Sequence, residues 1–294
     1  MKRKLFGVLL TAFALCLAWL PGHAQDREMI YSMKAQMAQE GMLFLFQMDS
    51  GIAGLDPVAD TLIIRDWSGK ETAVIPLSAC IAPEFECSGM AACTEAPDGG
   101  WYALFALNEL SDEPMLALCR LSPDGHCLWS TAFVQRPQWG WTLLASTQDG
   151  VLLLHVCDTD SRESVLRYVS PEGKLQWKKK LAFDGLAYSP FAADSHEGNT
   201  VRIYGTAVSV SKGTYAAVEL EISSGGEVTA EKAWDFAPVT RDYAARLEMD
   251  PRHHAVELLW NEGAAGNGKR IALDTLSECT PPSWALTDVD ADVH

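Results

Sequence analysis

The chain has 294 residues, with 39 acidic against 23 basic side chains and a net charge of −16. Such an acidic surface argues against binding nucleic acid or docking on anionic lipid, since both draw their affinity from clustered cations. Hydrophobic residues make up 48% of the chain, enough for a packed core in one domain of this length.

The first 24 residues open with Lys2, Arg3 and Lys4, run through an apolar stretch from Leu5 to Leu20, and end in the small residues Gly22 and Ala24. A basic start, a short apolar centre and small residues at the end predict a secretory signal peptide cut near Ala24. The apolar run is shorter than the roughly 20 residues a spanning helix needs. Cys16 follows Leu15 rather than a small residue, which argues against a lipoprotein leader. The expected location is periplasmic or secreted, with no membrane span after cleavage. Losing the three leader cations takes the charge from −16 to −19.

From there the chain reads as short strands. "MLFLFQMD" (42–49), "TLIIRDWSG" (61–69) and "ETAVIPLSA" (71–79) supply three strands of a first unit. "APDGGWYALFAL" (96–107) belongs to a second unit, which closes on "RLSPDGHCLW" (120–129). That closing stretch returns as "YVSPEGKLQW" (168–177): Ser122, Pro123, Gly125 and Trp129 recur 48 positions later as Ser170, Pro171, Gly173 and Trp177. Asp124 returns as Glu172. Pro pre-sets φ for a type I turn, the acid tolerates the next position, and Gly takes the left-handed position that ends a three-residue hairpin loop.

The third unit is the cleanest, with "WTLLAST", "VLLLHVCD", "SVLRYVS" and "KLQWKKKLA" separated by turn residues between Trp141 and Ala182. "TYAAVELEISSGGEVTAEKAW" (214–234) repeats its last two strands, with Trp234 in the Trp slot. "ARLEMD" (245–250), "AVELLWNEG" (255–263) and "KRIALDTLS" (269–277) begin a fifth unit, which "PPSWALTD" (281–288) would finish. Five units of about 50 residues account for positions 25–288, leaving an acidic tail at 289–294. Tandem antiparallel four-stranded units of this length predict an all-β fold, a β-propeller of five four-stranded blades in a single domain. A two-sheet sandwich also uses many short strands, but the fixed spacing favours the propeller. Lys178–Lys180 are then expected on an outer edge strand, where they block stray pairing.

"SPDGHCLW", its copy "SPEGKLQW" and "DWSGKETAV" resemble the hairpins of exported bacterial β-propeller repeat proteins of the quinoprotein-like and WD40-like kinds. The resemblance covers most of the chain after the leader and implies architecture. It selects no catalytic residue, because such proteins include redox enzymes, assembly scaffolds and binding modules. "APDGGWYALFAL" is also similar to a strand of five-bladed glycoside hydrolases, which need a pair of carboxylates at the channel.

Seven cysteines follow the leader, and an exported protein can oxidise them. Cys119 and Cys127 flank the "SPDG" turn and are expected to face each other and form a disulfide. Two of Cys80, Cys87 and Cys93 could form another, and the odd count leaves one thiol over. No C-x-x-C, G-x-S-x-G, H-E-x-x-H, P-loop or G-x-G-x-x-G is present, so no metal site and no cofactor is expected. His253–His254 point to opposite faces, His155 sits in an apolar strand as an interior group, and "DTDSRE" lacks calcium-loop spacing.

In a propeller, ligands meet the loops between strands two and three and between blades. The blade-to-blade loops hold Arg136 and Trp139, then Tyr188, then Arg241, Asp242 and Tyr243. The inner loops hold Asn108 and Glu109, and Asn261 and Glu262. Arginine beside flat aromatics suits a sugar, a peptide or a carboxylate. The expected function is non-catalytic binding of an envelope or extracellular protein, peptide or glycan partner. The alternative is a glycan-active hydrolase or lyase with carboxylates at the channel mouth.

Overall fold

The short Gly-containing turns organise this chain, and their backbone explains the strand pattern around them. The computed structural model describes the backbone of residues 24–107, 115–134, 140–157, 163–183, 186–196, 199–209, 214–238, 246–250, 255–262, 265–272, 277–279 and 284–288. Side chains are described over 29–107, 115–134, 142–156, 164–182, 193–195, 199–205, 216–234 and 286–288. The leader and the acidic tail lie outside the described residues, as do His253–His254 and most of "DTDSRE". Two units divide the chain, Met1–Pro76 and Leu77–His294.

The first unit holds helix α1 (Ala24–Gln39) and an antiparallel sheet of β1 (Leu43–Gln47), β2 (Gly51–Asp56), β3 (Thr61–Asp66) and β4 (Glu71–Pro76) in that order. The strand reading missed both α1 and β2. Helix α1 is rich in Ala, Gln and Met, which favour a helix, and contains no Gly or Pro. Its Met33 and Met37, four residues apart, pack with Met42 on Ile52 and Ile63 of the sheet. In β2, Gly51 and Gly54 hide the strand from any propensity rule. A Cβ at Gly51 would lie 1.8 Å from the Arg65 carbonyl oxygen, and one at Gly54 2.7 Å from Leu45, so close approach requires them.

Helix α1 ends in a Schellman motif: Met42 N–H donates to the Met37 carbonyl at 3.0 Å and Gly41 N–H to the Ala38 carbonyl at 3.2 Å. Gly41 has φ of 94° and nothing within 4 Å of where a Cβ would stand. Gly41→Ala is therefore expected to destabilise the protein by about 1 kcal/mol through backbone strain alone. Urea denaturation of the variant measures it.

The second unit contains three full antiparallel sheets. They are β5 (Cys87–Glu95), β6 (Trp101–Leu107), β7 (Met115–Leu121) and β8 (Cys127–Val134); β9 (Gly140–Thr147), β10 (Gly150–Cys157), β11 (Glu163–Val169) and β12 (Leu175–Phe183); and β13 (Leu186–His196), β14 (Thr200–Ser209), β15 (Thr214–Ser223) and β16 (Val228–Pro238). A three-stranded sheet follows: β17 (Arg246–Asp250), β18 (Ala255–Glu262) and β19 (Ala265–Ala272). Consecutive sheets meet through their first strands, β5 beside β9, β9 beside β13 and β13 beside β17. Between the second and third of them, Leu152, Leu154, Leu166, Ile203 and Leu220 form a shared core. The molecule is thus mostly β, built among the described residues of antiparallel sheets of three to five strands, consistent with a propeller-like all-β fold.

The C-terminal strands depart from expectation. Strand β21 (Trp284–Asp288), read above as the end of a fifth unit, runs beside β12, with Lys179 opposite Asp288 and Lys180 opposite Thr287. Strand β20 (Ser277–Cys279) runs beside β16. Strand β12 is therefore not an outer edge, and Lys178–Lys180 do not block pairing. Lys179 instead meets the Asp288 carboxylate at 3.6 Å and hydrogen-bonds the Gly226 carbonyl at 2.8 Å. Asp288 on the late strand and the lysines of β12 make the pairing electrostatically favourable.

The turns behave as their chemistry dictates. Gly125 N–H donates to the Ser122 carbonyl at 2.9 Å, and Ser122 N–H to the His126 carbonyl at 2.9 Å. Ser170–Lys174, Ser223–Glu227, Ala96–Gly100 and Asp66–Lys70 repeat the pair of bonds, and the fourth residue of each is glycine with φ between 76° and 87°. Only glycine takes that conformation without strain. The serine hydroxyl closes the loop further, accepting from His126 N–H at 3.0 Å and from Glu227 N–H at 3.1 Å. Asp124 and Glu172 are turn residues, as the spacing predicts.

Candidate functional site

Two ends of each sheet must be told apart. At one end lie the turns just described, and two of those in the second unit, Ser170–Lys174 and Ser223–Glu227, dock on the preceding sheet. Trp129 on β8 donates from Nε1 to the Pro171 carbonyl at 2.6 Å, and its ring lies where a Cβ on Gly173 would stand, 2.8 Å away. Trp177 on β12 does the same one sheet later, donating to the Ser224 carbonyl at 2.7 Å and covering Gly226. The residue two places beyond each tryptophan repeats the pattern: Thr131 Oγ1 donates to the Gly173 carbonyl at 2.9 Å, as Lys179 does to that of Gly226. Tyr102 and Tyr168 brace the two indoles from behind, at centroid distances of 6.0 and 5.6 Å. These two turns are occupied by packing between repeats.

The opposite end of each sheet is where β6 and β10 stop and where β8, β12 and β16 lead toward the next sheet. Of the ten residues expected to form a ligand site, Tyr188 lies near the start of β13, opposite Ala207. Asn261 and Glu262 end β18, opposite Gly266 and Ala265. These three belong to that end. Asn108, Glu109, Arg136, Trp139, Arg241, Asp242 and Tyr243 lie outside the described residues.

Of the other buried polar groups, sequence singled out His155 but not Arg120 or Glu219. Arg120, 4% exposed, donates to the Trp101 carbonyl at 3.2 Å, to the Leu121 carbonyl and to the Asp98 carboxylate. Its guanidinium stands 4.8 Å over the Tyr102 ring. Burial would raise Asp98, but the Gly100 N–H and the Arg120 guanidinium outweigh it and hold the carboxyl below its usual range. His155 is an interior group, as expected, with Nδ1 3.0 Å from Thr142 Oγ1. Glu219 is buried opposite Tyr204, whose phenol is pushed up to about 12 by burial and by the Glu219 charge.

The cysteines differ from expectation. Cys80, Cys87, Cys93, Cys119 and Cys127 are all free thiols. Cys87 and Cys93 lie six residues apart on one strand, about 20 Å, and cannot pair with each other. A bulge after Arg120 sets Cys127 opposite Leu121 and Cys119 opposite Ser130, so the two thiols flanking the turn sit diagonally rather than face to face. Cys119 Sγ donates to the Cys80 carbonyl at 3.6 Å and contacts Ser130 Oγ at 3.4 Å. Sequence spacing could not reveal Cys80 as a neighbour of Cys119, because it follows a 3-10 turn (Leu77–Ala79) 39 residues earlier. Cys93 is pushed up to about 12 by burial and by the Glu95 charge.

Among the described residues, no group of three or more His, Cys, Asp or Glu side chains is arranged to hold a metal ion, and no helix is long and apolar enough to cross a membrane. No known protein family matches the chain, and no curated protein matches it. Among solved structures, a Bacteroides caccae protein of unknown function is 14% identical, with a TM-score of 0.40 over 73% of this chain and 68% of its own. Cobalt-substituted apocarotenoid oxygenase from Synechocystis is 10% identical, with a TM-score of 0.45 over 82% of this chain and 59% of its own. The chain thus spans less than two thirds of the oxygenase, and both likenesses are too distant to argue from.

Proposed function

We propose that this chain is an exported five-bladed β-propeller that binds a protein, peptide or glycan partner through its blade-connecting loops, without catalysis. One observation supports this most: two of the Gly-containing turns at one end of the second unit's sheets, Ser170–Lys174 and Ser223–Glu227, are consumed by tryptophan contacts between repeats. Recognition is left to the opposite end, where the connections carry Arg136, Trp139, Arg241 and Tyr243. Tandem sheets meeting through their first strands support the propeller, and the basic, apolar and small-residue order of the first 24 residues supports export to the periplasm or beyond.

A glycan and peptide array probed with the purified protein tests the reading. For the ligand that binds, Trp139→Ala is expected to weaken affinity on the order of 30-fold, the effect of truncating an aromatic anchor. Unchanged affinity in Trp139→Ala, Arg136→Ala and Arg241→Ala alike would remove the loop site. Cleavage of an arrayed glycan would replace binding with catalysis.

A further inference from the structure

We propose that the outer edge of β8 pairs with β8 of a second copy of this chain, antiparallel across a twofold axis, joining two four-stranded sheets into one. The last strand of a sheet presents unpaired N–H and C=O groups along its outer side, and native proteins cover or charge such edges. In the second unit two of these edges are covered. Strand β21 lies along β12 and β20 lies along β16, both antiparallel. Both contacts include the residues seven to nine places past a turn glycine: Lys180–Ala182 after Gly173, and Ala233–Asp235 after Gly226. The same positions past Gly125 are Ala132, Phe133 and Val134 on β8, and among the described residues no strand pairs outside them.

Strand β8 also lacks the charges that guard its counterparts. Strand β4 carries Glu71 and ends in Pro76, β12 carries Lys178–Lys180, β16 carries Glu231, Lys232 and Asp235, and β19 carries Lys269 and Arg270. The covering strands themselves bear Glu278 and Asp288. Cys127–Val134 holds no charged residue and no proline, and Leu128 is 57% exposed. Past the bulge at Leu128, Trp129–Val134 pair with Met115–Arg120 in unbroken register, so the free edge is regular. Trp129 and Thr131 already bind the turn of the next sheet, which leaves the edge rather than that face for a partner. Strand β1 is uncharged too, but a bulge with Phe44 at φ of 51° interrupts it.

Charge selects the occupant. The lysines of β12 meet a strand that brings Asp288, 3.6 Å from Lys179, whereas an uncharged edge is matched by an uncharged strand. Strand β8 is itself that strand, and a twofold axis sets it against its own copy with every contact made twice. The net charge of −16 makes two copies repel in general, so a neutral edge is where they approach at least cost. An eight-residue strand is about 27 Å long, and one such edge buries less than the roughly 1,200 Å² of a stable interface. The dimer is therefore weak and forms at high protein concentration.

Sedimentation velocity of the full chain under reductant, between about 5 and about 300 μM, is expected to show the mass rising from monomer toward dimer. Salt at about 0.5 M is expected to strengthen association, because it screens the repulsion between acidic copies. Over the same concentration range, hydrogen exchange at the outward amides of Trp129–Val134 should slow at least about 3-fold, while β4, a charged edge, stays unchanged. Ala132→Lys brings like charges together across the axis and is expected to weaken association at least about 10-fold. The proposal is overturned by a monomer at every concentration, by a dimer whose β8 amides exchange at the monomer rate, by a dimer that salt dissociates, or by undiminished association in Ala132→Lys. The mass and exchange readouts use the wild-type chain, so a misfolded variant leaves them decisive. This edge is separate from the loops, and its failure leaves the binding reading standing.

Discussion

Gly173→Ala is expected to destabilise the protein by about 3 kcal/mol, measured by urea denaturation. Two costs add. Gly173 sits at φ of 81°, where an L side chain costs roughly 1–2 kcal/mol. The new Cβ would also stand 2.8 Å from Trp129 Cδ2 and 2.9 Å from Cε3, closer than such atoms can approach. The indole has little room to retreat, because its Nε1 is bonded to the Pro171 carbonyl at 2.6 Å and Tyr102 lies behind it. Overpacking of this kind costs about 1–3 kcal/mol. A double-mutant cycle separates the terms. In a Trp129→Ala background the clash is gone, and Gly173→Ala should cost only about 1 kcal/mol for its backbone. The same cost in both backgrounds would show that Trp129 does not press on the turn of the next repeat. Gly226 under Trp177 is the second instance of the same contact and should respond alike.

Arg120→Met is expected to cost about 2–3 kcal/mol. The substitution keeps an unbranched apolar stem but leaves the Trp101 and Leu121 carbonyls without their donor in a buried setting. The penalty stays below that of breaking a fully buried pair, because the Asp98 side chain is 64% exposed and its charge remains solvated. The same pair sets a pH dependence. Asp98 is held below its unfolded pKa, so its contribution is present above that value, near 4, and is lost as pH falls through the lower folded pKa. The stability gap between wild type and Asp98→Asn should therefore be constant above about pH 5 and close at more acidic pH. A gap that instead widens in acid would contradict the assignment of Arg120 as the partner.

How much of this was legible beforehand follows the range of the forces involved. The turn at Ser122–His126 could be read from four residues, since Pro, an acid and Gly each restrict φ and ψ through their own atoms, and the described residues form it five times in all. The strands of the third unit were equally legible from their apolar runs and turn residues. Strand β2 was not, because its glycines answer to the Arg65 carbonyl and to Leu45, which are remote in sequence. The candidate loop residues could be named from the order of strands, but three of the ten, Tyr188, Asn261 and Glu262, lie within strands rather than in loops.

The opening repeat marks the division between the two kinds of information. From sequence alone, Trp129 and Trp177 are residues at a fixed distance past a turn, on one face of a strand. Their partners, the turns of the following sheets, lie 42 and 47 residues further along and follow from no local rule. The same holds for the Lys178–Lys180 run. Its charge suggested an exposed edge, yet strand β21, more than a hundred residues later, pairs beside it with Asp288 opposite Lys179. Likewise Cys119 and Cys127 flank one hairpin, but only the packed fold brings Cys80 to Cys119. Sequence by itself determined the elements whose energetics lie within a few residues, namely turn type, strand periodicity and repeat length. Tertiary structure decided every contact between distant segments, because a pairing gains its free energy only once the chain has closed the loop between its partners.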